Sequence, residues 1–385
     1  MCGDLSTQYS LPRLGKVLGS RRDASVSPVS TPIGEFIRRH ATSAKCHAAS
    51  LGITVTPWVE RRAIDLPLDG SPTDRFAGVP GEAIAAVKRL LDFIRSEMPT
   101  ATRRLARPLN WRTAWRFHRE AREVSRFASV DWREVLLANL VYDFVVSQLG
   151  CSTIALPTPS GPVLARNMDF WPEDLLAQAS HLVRYTRRGE VVFLQAGWPG
   201  AIGIVSGQSS RGFAVVLNAV ASPEKLNLLG YPVLLHLRRV VEDARDFDQA
   251  LALLANQKLA TSALFTLVGT ENRQRVVIER SPRRHALRWP TGDEPLVTTN
   301  DYRLLYQPTE QAGHRLYEST CHRYDALCRF FASHRPEQVV DDSRLLYVLS
   351  DPSVIQTITA QHVIFRPQPE QSRLFVPRKL LIQPG

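Results

Sequence analysis

Cysteine is scarce in this chain, and the short motifs that hold metals or phosphates are missing. The five cysteines, Cys2, Cys46, Cys151, Cys321 and Cys328, form no CxxC pair and no metal-ligand spacing, and their number is odd. A disulfide framework and a zinc site are therefore not expected. There is no GxGxxG, no phosphate loop, no HExxH and no internal repeat, so neither a dinucleotide, a phosphate-loop nucleotide nor a zincin metal is implied. No metal and no organic cofactor is expected. No apolar run approaches the ~20 residues of a membrane span. The first fifty residues are polar and rich in Ser, Arg and Pro, without an apolar core of signal-peptide length. The expected compartment is the cytoplasm.

What the chain does contain is positive charge. The formal net charge is +11 and the pI about 9.8, which suits a nucleic-acid binder, an anionic membrane surface or an acidic ligand. The charge is densest between Ala101 and Phe127, where eight arginines interleave with Trp111, Trp115, Phe117 and Phe127. Read as one amphipathic helix, this segment makes Trp111, Trp115, Arg112, Arg116 and Arg119 candidates for peripheral docking on an anionic membrane. A solvated basic face over a core-facing aromatic side explains the same pattern.

Hydrophobic periodicity divides the rest. Residues 1–50 read as a flexible tail. Residues 51–150 read as short strands followed by helices, including one from Pro80 and an apolar one over Asp131–Leu149. Residues 151–385 alternate groups of strands with groups of helices, without βαβ repeats, which predicts an α+β layered fold with mostly antiparallel sheets.

Gly150–Trp171, GCSTIALPTPSGPVLARNMDFW, stands out. Two β-type runs around Pro159-Ser160-Gly161 read as a hairpin, whose ends bring Cys151 close to Arg166 and Asp169. A thiol, a guanidinium and a carboxylate are costly to bury unless they pair. An inert cysteine beside a structural salt bridge meets that demand, and so does a reactive centre. Arg166 and Asp169 are three apart, so a regular strand sends them to opposite faces; a bend or strand end near Asn167 is expected.

The stretch CST, short hairpin, ARNMDF resembles the Cys-Thr-Ser opening and Gly-Arg-Asn-(Leu/Met)-Asp of the N-terminal nucleophile (Ntn) hydrolases of the acid ceramidase and N-acylethanolamine-hydrolysing acid amidase type. More distant relatives are the choloylglycine hydrolases and penicillin V acylase. Ser152-Thr153 is reversed here, Ala165 replaces the usual Gly, and the hairpin is about one residue shorter. IDLPLDGSPTDRF and DWREVLLANLVYD resemble upstream segments of the same amidases, and GWPGAIGIVSGQSSRGFAVVLNAV resembles their glycine-punctuated strand pair.

The resemblance implies an αββα sandwich with an N-terminal helical segment. It also implies self-cleavage between Gly150 and Cys151 into an α/β heterodimer, and a thioester-forming Cys151 that hydrolyses an N-acyl amide. A fatty acyl amide such as an N-acylethanolamine is the expected small-molecule substrate. Arg166 and Asp169 are implied as electrostatic support and Asn300, in TTN, as an oxyanion donor. Asn218 falls where choloylglycine hydrolases have an active-site Asn and the ceramidase group has acidic residues. Arg323 is chosen as the second active-site arginine, with Arg315 competing. Two alternatives stay open: an acyltransferase passing the acyl group to an amine, and a membrane-surface or nucleic-acid-binding protein with a vestigial site. On the preferred reading no nucleic acid is expected. A Cys–His pair is a further possibility among the histidines.

Overall fold

The computed structural model describes residues 58–97, 100–140, 142–143, 150–307, 311 and 315–381. The expected tail and its short helix over Ile33–His40, all but Trp58 of the strand expected at residues 53–58 and the end of the expected 131–149 helix lie outside them.

Fourteen described strands form two sheets. The six-stranded sheet has the order β1-β14-β13-β4-β3-β12, and the eight-stranded sheet the order β11-β10-β9-β8-β7-β6-β5-β2. In the first are β1 (Trp58–Glu60), β3 (Gly150–Leu156), β4 (Val163–Asp169), β12 (Leu296–Thr298), β13 (Thr359–Phe365) and β14 (Arg373–Pro377). In the second are β2 (Ile64–Pro67), β5 (His181–Arg187), β6 (Glu190–Gly197), β7 (Ser206–Ser209), β8 (Phe213–Asn218), β9 (Ala263–Val268), β10 (Arg275–Arg280) and β11 (His285–Arg288). All pairings are antiparallel except β2 with β5.

Alternation along each strand decides which residues lie between the sheets. Leu164, Ala155, Val363 and Phe365 from one sheet meet Ala214, Val216, Leu264 and Val277 from the other in a shared apolar layer. The opposite face of the six-stranded sheet, with Ile154, Ala165 and Ile364, packs on two helices. The outer face of the eight-stranded sheet is covered by two others. The result is the expected αββα sandwich of the Ntn hydrolases.

In chain order the helices are α1 (Gly81–Glu97), α2 (Ala106–Arg112), α3 (His118–Ala128), α4 (Trp132–Ala138), α5 (Glu173–Ala179), α6 (Val233–Asp243), α7 (Phe247–Asn256), α8 (Arg315–Phe330) and α9 (Asp342–Leu349), with a one-turn helix over Pro72–Arg75. Helices α6 and α7 cover the eight-stranded sheet, and α8 and α9 the six-stranded one. Asp131 caps α4 by accepting the amide of Arg133, as its residue type predicts.

Three expectations need correction. The basic segment 101–127 is not one helix: α2 and α3 are separated by a turn in which Ala114 and Trp115 take positive φ, at 50° and 59°. Thr113 bonds back to the carbonyl of Leu109 where α2 ends, and Arg116 reaches across to Glu242 and Asp243, so tertiary ties override the periodicity. The helix expected over 131–149 is interrupted after Ala138, where Asn139 accepts from the Gly203 amide, and Tyr142 and Asp143 are helical again. The turn that Gly207-Gln208-Ser209-Ser210 suggests between two strands also moves: Ser206–Ser209 is β7, and the reversal uses Gly212 at φ 82°.

Candidate active site

The β3–β4 hairpin forms as expected, with Gly150 opposite Asp169, Cys151 opposite Met168 and Thr153 opposite Arg166. Cys151 and Arg166 therefore share the face between the sheets. There Arg166 Nη2 lies 3.0 Å from Cys151 Sγ, and Nη1 donates to Ser206 Oγ of the opposite sheet at 2.9 Å. Cys151 is 3% exposed and Arg166 2%. The guanidinium has no carboxylate partner among the described residues, and its Nε is unpartnered.

The expected bend at Asn167 is absent. Strand β4 runs unbroken to Asp169, and the irregularity lies opposite, in β13 between Thr359 and Gln361. Asp169 thus faces the helix side, with Gly150, Ser152 and Asn167. Its Oδ1 accepts from Thr359 Oγ1 at 2.6 Å, and its buried Oδ2 has no partner. Burial raises its pKa, while the charges of Arg323 and Arg166 and the Thr359 bond pull the other way. Gly150 does not need positive φ here. It needs space, because a Cβ there would sit 3.2 Å from Asp169 Cβ and 3.3 Å from its Oδ2.

The main chain of Cys151 is gripped from a third direction. Asn300 Oδ1 accepts the Cys151 N–H at 3.0 Å and Arg323 Nη2 at 2.7 Å. Arg323 Nη1 donates to the Cys151 carbonyl at 2.6 Å and to Ser152 Oγ at 2.9 Å. Asn300 Nδ2 is turned to the Ala219 carbonyl, 2.7 Å away, and its backbone N–H donates to Thr320 Oγ1 at 2.7 Å. Thr320 stands one turn before Arg323 on α8, so both reach Asn300 from one helix face. Burial lowers the Arg323 pKa, while Asp169, Cys151 and Asp301 hold it up. Arg323, the arginine chosen from the sequence, lies at Cys151.

A family model for acyl-coenzyme A:6-aminopenicillanic acid acyl-transferase matches residues 156–377. The chain belongs to this family. The match begins just after Cys151 and takes in Arg166, Asp169, Asn218, Asn300 and Arg323. Among curated relatives, N-acylethanolamine-hydrolyzing acid amidase of Oryctolagus cuniculus is 28% identical over 185 residues, 45% of this chain and 50% of that protein. The Rattus norvegicus protein of the same name is 25% identical over 185 residues, 45% and 49% of the two chains. Acid ceramidase of Balaenoptera acutorostrata scammoni is 24% identical over 193 residues, 43% and 47%. The chain spans about half the length of these curated relatives. Among solved structures, the Caenorhabditis elegans N-acylethanolamine-hydrolyzing acid amidase ortholog superposes with a TM-score of 0.50 at 19% identity, covering 59% of this chain and all of that one. That likeness bears on the fold, which it shares.

In this family member Asn218 lies beside the group without touching the sulfur. Its Nδ2 donates to the carbonyls of Thr298 and Thr299, both at 3.0 Å, and its Oδ1 accepts from Thr153 Oγ1 at 2.7 Å. It ties β8 to β12 and to β3. Ser206, Thr320, Ser152 and Thr359 were not anticipated. Only Thr320 had a signal, its helical spacing from Arg323.

Three buried histidines are engaged away from Cys151, His181 with Arg61, His236 with the Leu253 carbonyl and His334 with the Pro157 carbonyl, while the fourth, His362, lies against the Trp58 ring. Among the described residues no group of three or more His, Cys, Asp or Glu is arranged to hold a metal, and no helix is long and apolar enough to cross a membrane.

The membrane candidates lie elsewhere on the surface. Trp111 is 74% exposed and Trp115 50%. Arg112 donates through Nε to the Leu229 carbonyl at 2.6 Å, which ties the Leu228-Leu229 turn, 83% and 76% exposed, to the end of α2. Arg116 and Arg119 are taken up by ion pairs with Glu242, Asp243 and Glu123.

Proposed function

We propose that this protein is a self-cleaving cysteine amidase that hydrolyses the C–N bond of an N-acyl compound, a fatty acyl amide such as an N-acylethanolamine. The observation that carries the proposal is the buried Arg166 cation, which has a thiol where a structural arginine would have a carboxylate. Its Nη2 is directed at the sulfur, where it suits negative charge that develops during acyl transfer.

In the first event Cys151 Sγ attacks the Gly150 carbonyl carbon, the Gly150–Cys151 C–N bond breaks, and the proton passes to the departing nitrogen. Water then hydrolyses the thioester, leaving a Gly150 carboxylate and a free Cys151 amine. Residues 1–150 and 151–385 become the two subunits. The freed amine, with a reference pKa of ~8, acts as base for its own thiol. Asn300 Oδ1 holds it on one side. The unpartnered Oδ2 of Asp169, beside Gly150, is available to the ammonium form. The substrate amide then repeats the sequence: its acyl group moves to sulfur, its amine leaves with a proton, and water releases the acid. The second N–H of Asn300 Nδ2 is the candidate oxyanion donor, a contribution of about 3 kcal/mol for such a group.

Intact mass of the denatured, purified protein tests the scheme. Two fragments meeting at Gly150/Cys151 are expected, and a single chain for Cys151→Ala; an uncut, fully active wild type overturns it. The family description favours one competing reading, transfer of the acyl group to an amine instead of water. Product analysis with and without added amine decides, since transfer must yield a new amide. The exposed Trp111, Trp115, Leu228 and Leu229 suit docking on an anionic bilayer that supplies the apolar substrate. Sedimentation with phosphatidylserine-containing vesicles should fall in Trp111→Ala/Leu228→Ser, and equal partitioning argues against docking.

A further inference from the structure

Arg166 is held by remarkably few partners for a buried cation in the described residues, and one of them lies on the other sheet. Ser206 is fully buried at the start of β7, next to the apolar layer that contains its register partner Val216. A hydroxyl there is costly unless it bonds, and its bond is to Arg166 Nη1. The opposite prong of the same planar fork, Nη2, is the one on Cys151 Sγ. With Nε unpartnered, Ser206 is the protein oxygen that fixes the plane of the guanidinium among the described residues.

We propose that Ser206 is a positioning residue that aims Arg166 at the sulfur, joining the eight-stranded sheet to a nucleophile carried on the six-stranded one. Guanidinium donors are rigid and planar, so fixing one prong sets the direction of the other. Without the Ser206 oxygen, no other described oxygen fixes the plane of the guanidinium, and rotation about the end of the side chain swings Nη2 off the sulfur. If the chemistry needed only a cation somewhere near, Ser206 would be dispensable. If it needs a directed N–H on sulfur, Ser206 is required while touching no reacting atom. This inference rests on the cysteine amidase reading for its turnover arm but not for its thiol arm.

The test compares full-length wild type, Ser206→Ala, Ser206→Thr and Ser206→Cys. Turnover of an N-acylethanolamine and alkylation of Cys151 by iodoacetamide are followed across pH, and the alkylated site is confirmed by peptide mass. For Ser206→Ala, kcat should fall about tenfold with KM within about twofold, the scale of one misdirected polar contact. Alkylation at neutral pH should slow by a similar factor. Ser206→Thr should restore both. Wild-type alkylation and turnover in Ser206→Ala overturn the proposal, as does a Ser206→Thr as impaired as Ser206→Ala. If Ser206→Ala does not fold, Ser206→Cys, similar in shape with a weak acceptor, is set against Ser206→Thr on the same readouts. A wild type without turnover sinks the amidase reading, and the alkylation series still decides for or against Ser206.

Discussion

Two arginines are buried equally deeply in this protein and are treated in opposite ways. Arg238, on α6, is 1% exposed. Its guanidinium lies 3.3 Å from carboxylate oxygens of both Glu120 and Glu242, with the Tyr185 and Phe193 rings at 4.7 and 4.6 Å from their centroids. Arg166 is 2% exposed and has a serine hydroxyl and a thiol. Where a charge serves only to hold elements together, its partners neutralise it; Arg238 joins α3 to α6 in that manner. On the cysteine amidase reading, the charge left open at Arg166 is kept for something that becomes negative at the site during acyl transfer.

Replacing each arginine by methionine gives the widest separation between the two. Arg166→Met should lower kcat/KM by about 10²–10³-fold. Its unfolding free energy should change by no more than about 1 kcal/mol in either direction, because it removes an uncompensated cation. Arg238→Met strands Glu120 and part of the charge on Glu242, and should cost about 3 kcal/mol in urea unfolding, with kcat of the folded fraction kept. An Arg166→Met as unstable as Arg238→Met would erase the distinction.

That distinction was only partly legible in the sequence. The hairpin was readable because its β runs and Pro-Gly turn are local, and closing it necessarily brings Cys151 toward Arg166. The face of Asp169 was misjudged: strand alternation sends it to the helix side, and the correction lies in β13, nearly two hundred residues away. Asn300 and Arg323 were found through family resemblance, not periodicity. Ser206 was beyond reach, because a serine in a short strand announces nothing until the opposite sheet brings Arg166 to it. The 101–127 segment shows the reverse failure, where a helical pattern was broken by Arg116 reaching for α6.

His362 limits the lesson, since an unmatched buried group need not do chemistry. It is fully buried on β13, neither ring nitrogen has a partner among the described residues, and its ring centroid is 3.6 Å from that of Trp58. Burial pushes its pKa down to about 3. The unfolded chain therefore binds a proton near the ordinary value of ~6.5 that the folded chain refuses. Stability is present above that value and is lost as pH falls toward 3. His236, also lowered to about 3, acts in the same direction, while Asp143, raised to about 7, becomes easier to bury as pH falls and offsets part of the loss. His362→Leu should remove about 2–3 kcal/mol of the stability lost between pH 7.5 and 4.5, read from urea midpoints at both values. An unchanged pH dependence would mean that His362 is protonated in the fold.

The smallest effect is expected at Thr320, which separates position from charge at the same site. Its hydroxyl accepts the Asn300 N–H and donates to Asp301 Oδ1 at 2.8 Å. Thr320 thereby fixes the backbone of Asn300, while Arg323 fixes its side-chain oxygen. Thr320→Val keeps the shape but loses both bonds, and should lower kcat about tenfold, near the worth of one hydrogen bond, with KM little changed. Thr320→Ser should recover most of it. Arg166→Met changes the charge at sulfur and should slow Cys151 alkylation, whereas Thr320→Val leaves that charge in place and should not. Slowed alkylation in Thr320→Val would mean that the Asn300 grip on the Cys151 main chain also orients the sulfur, and that the two arms of the site are one.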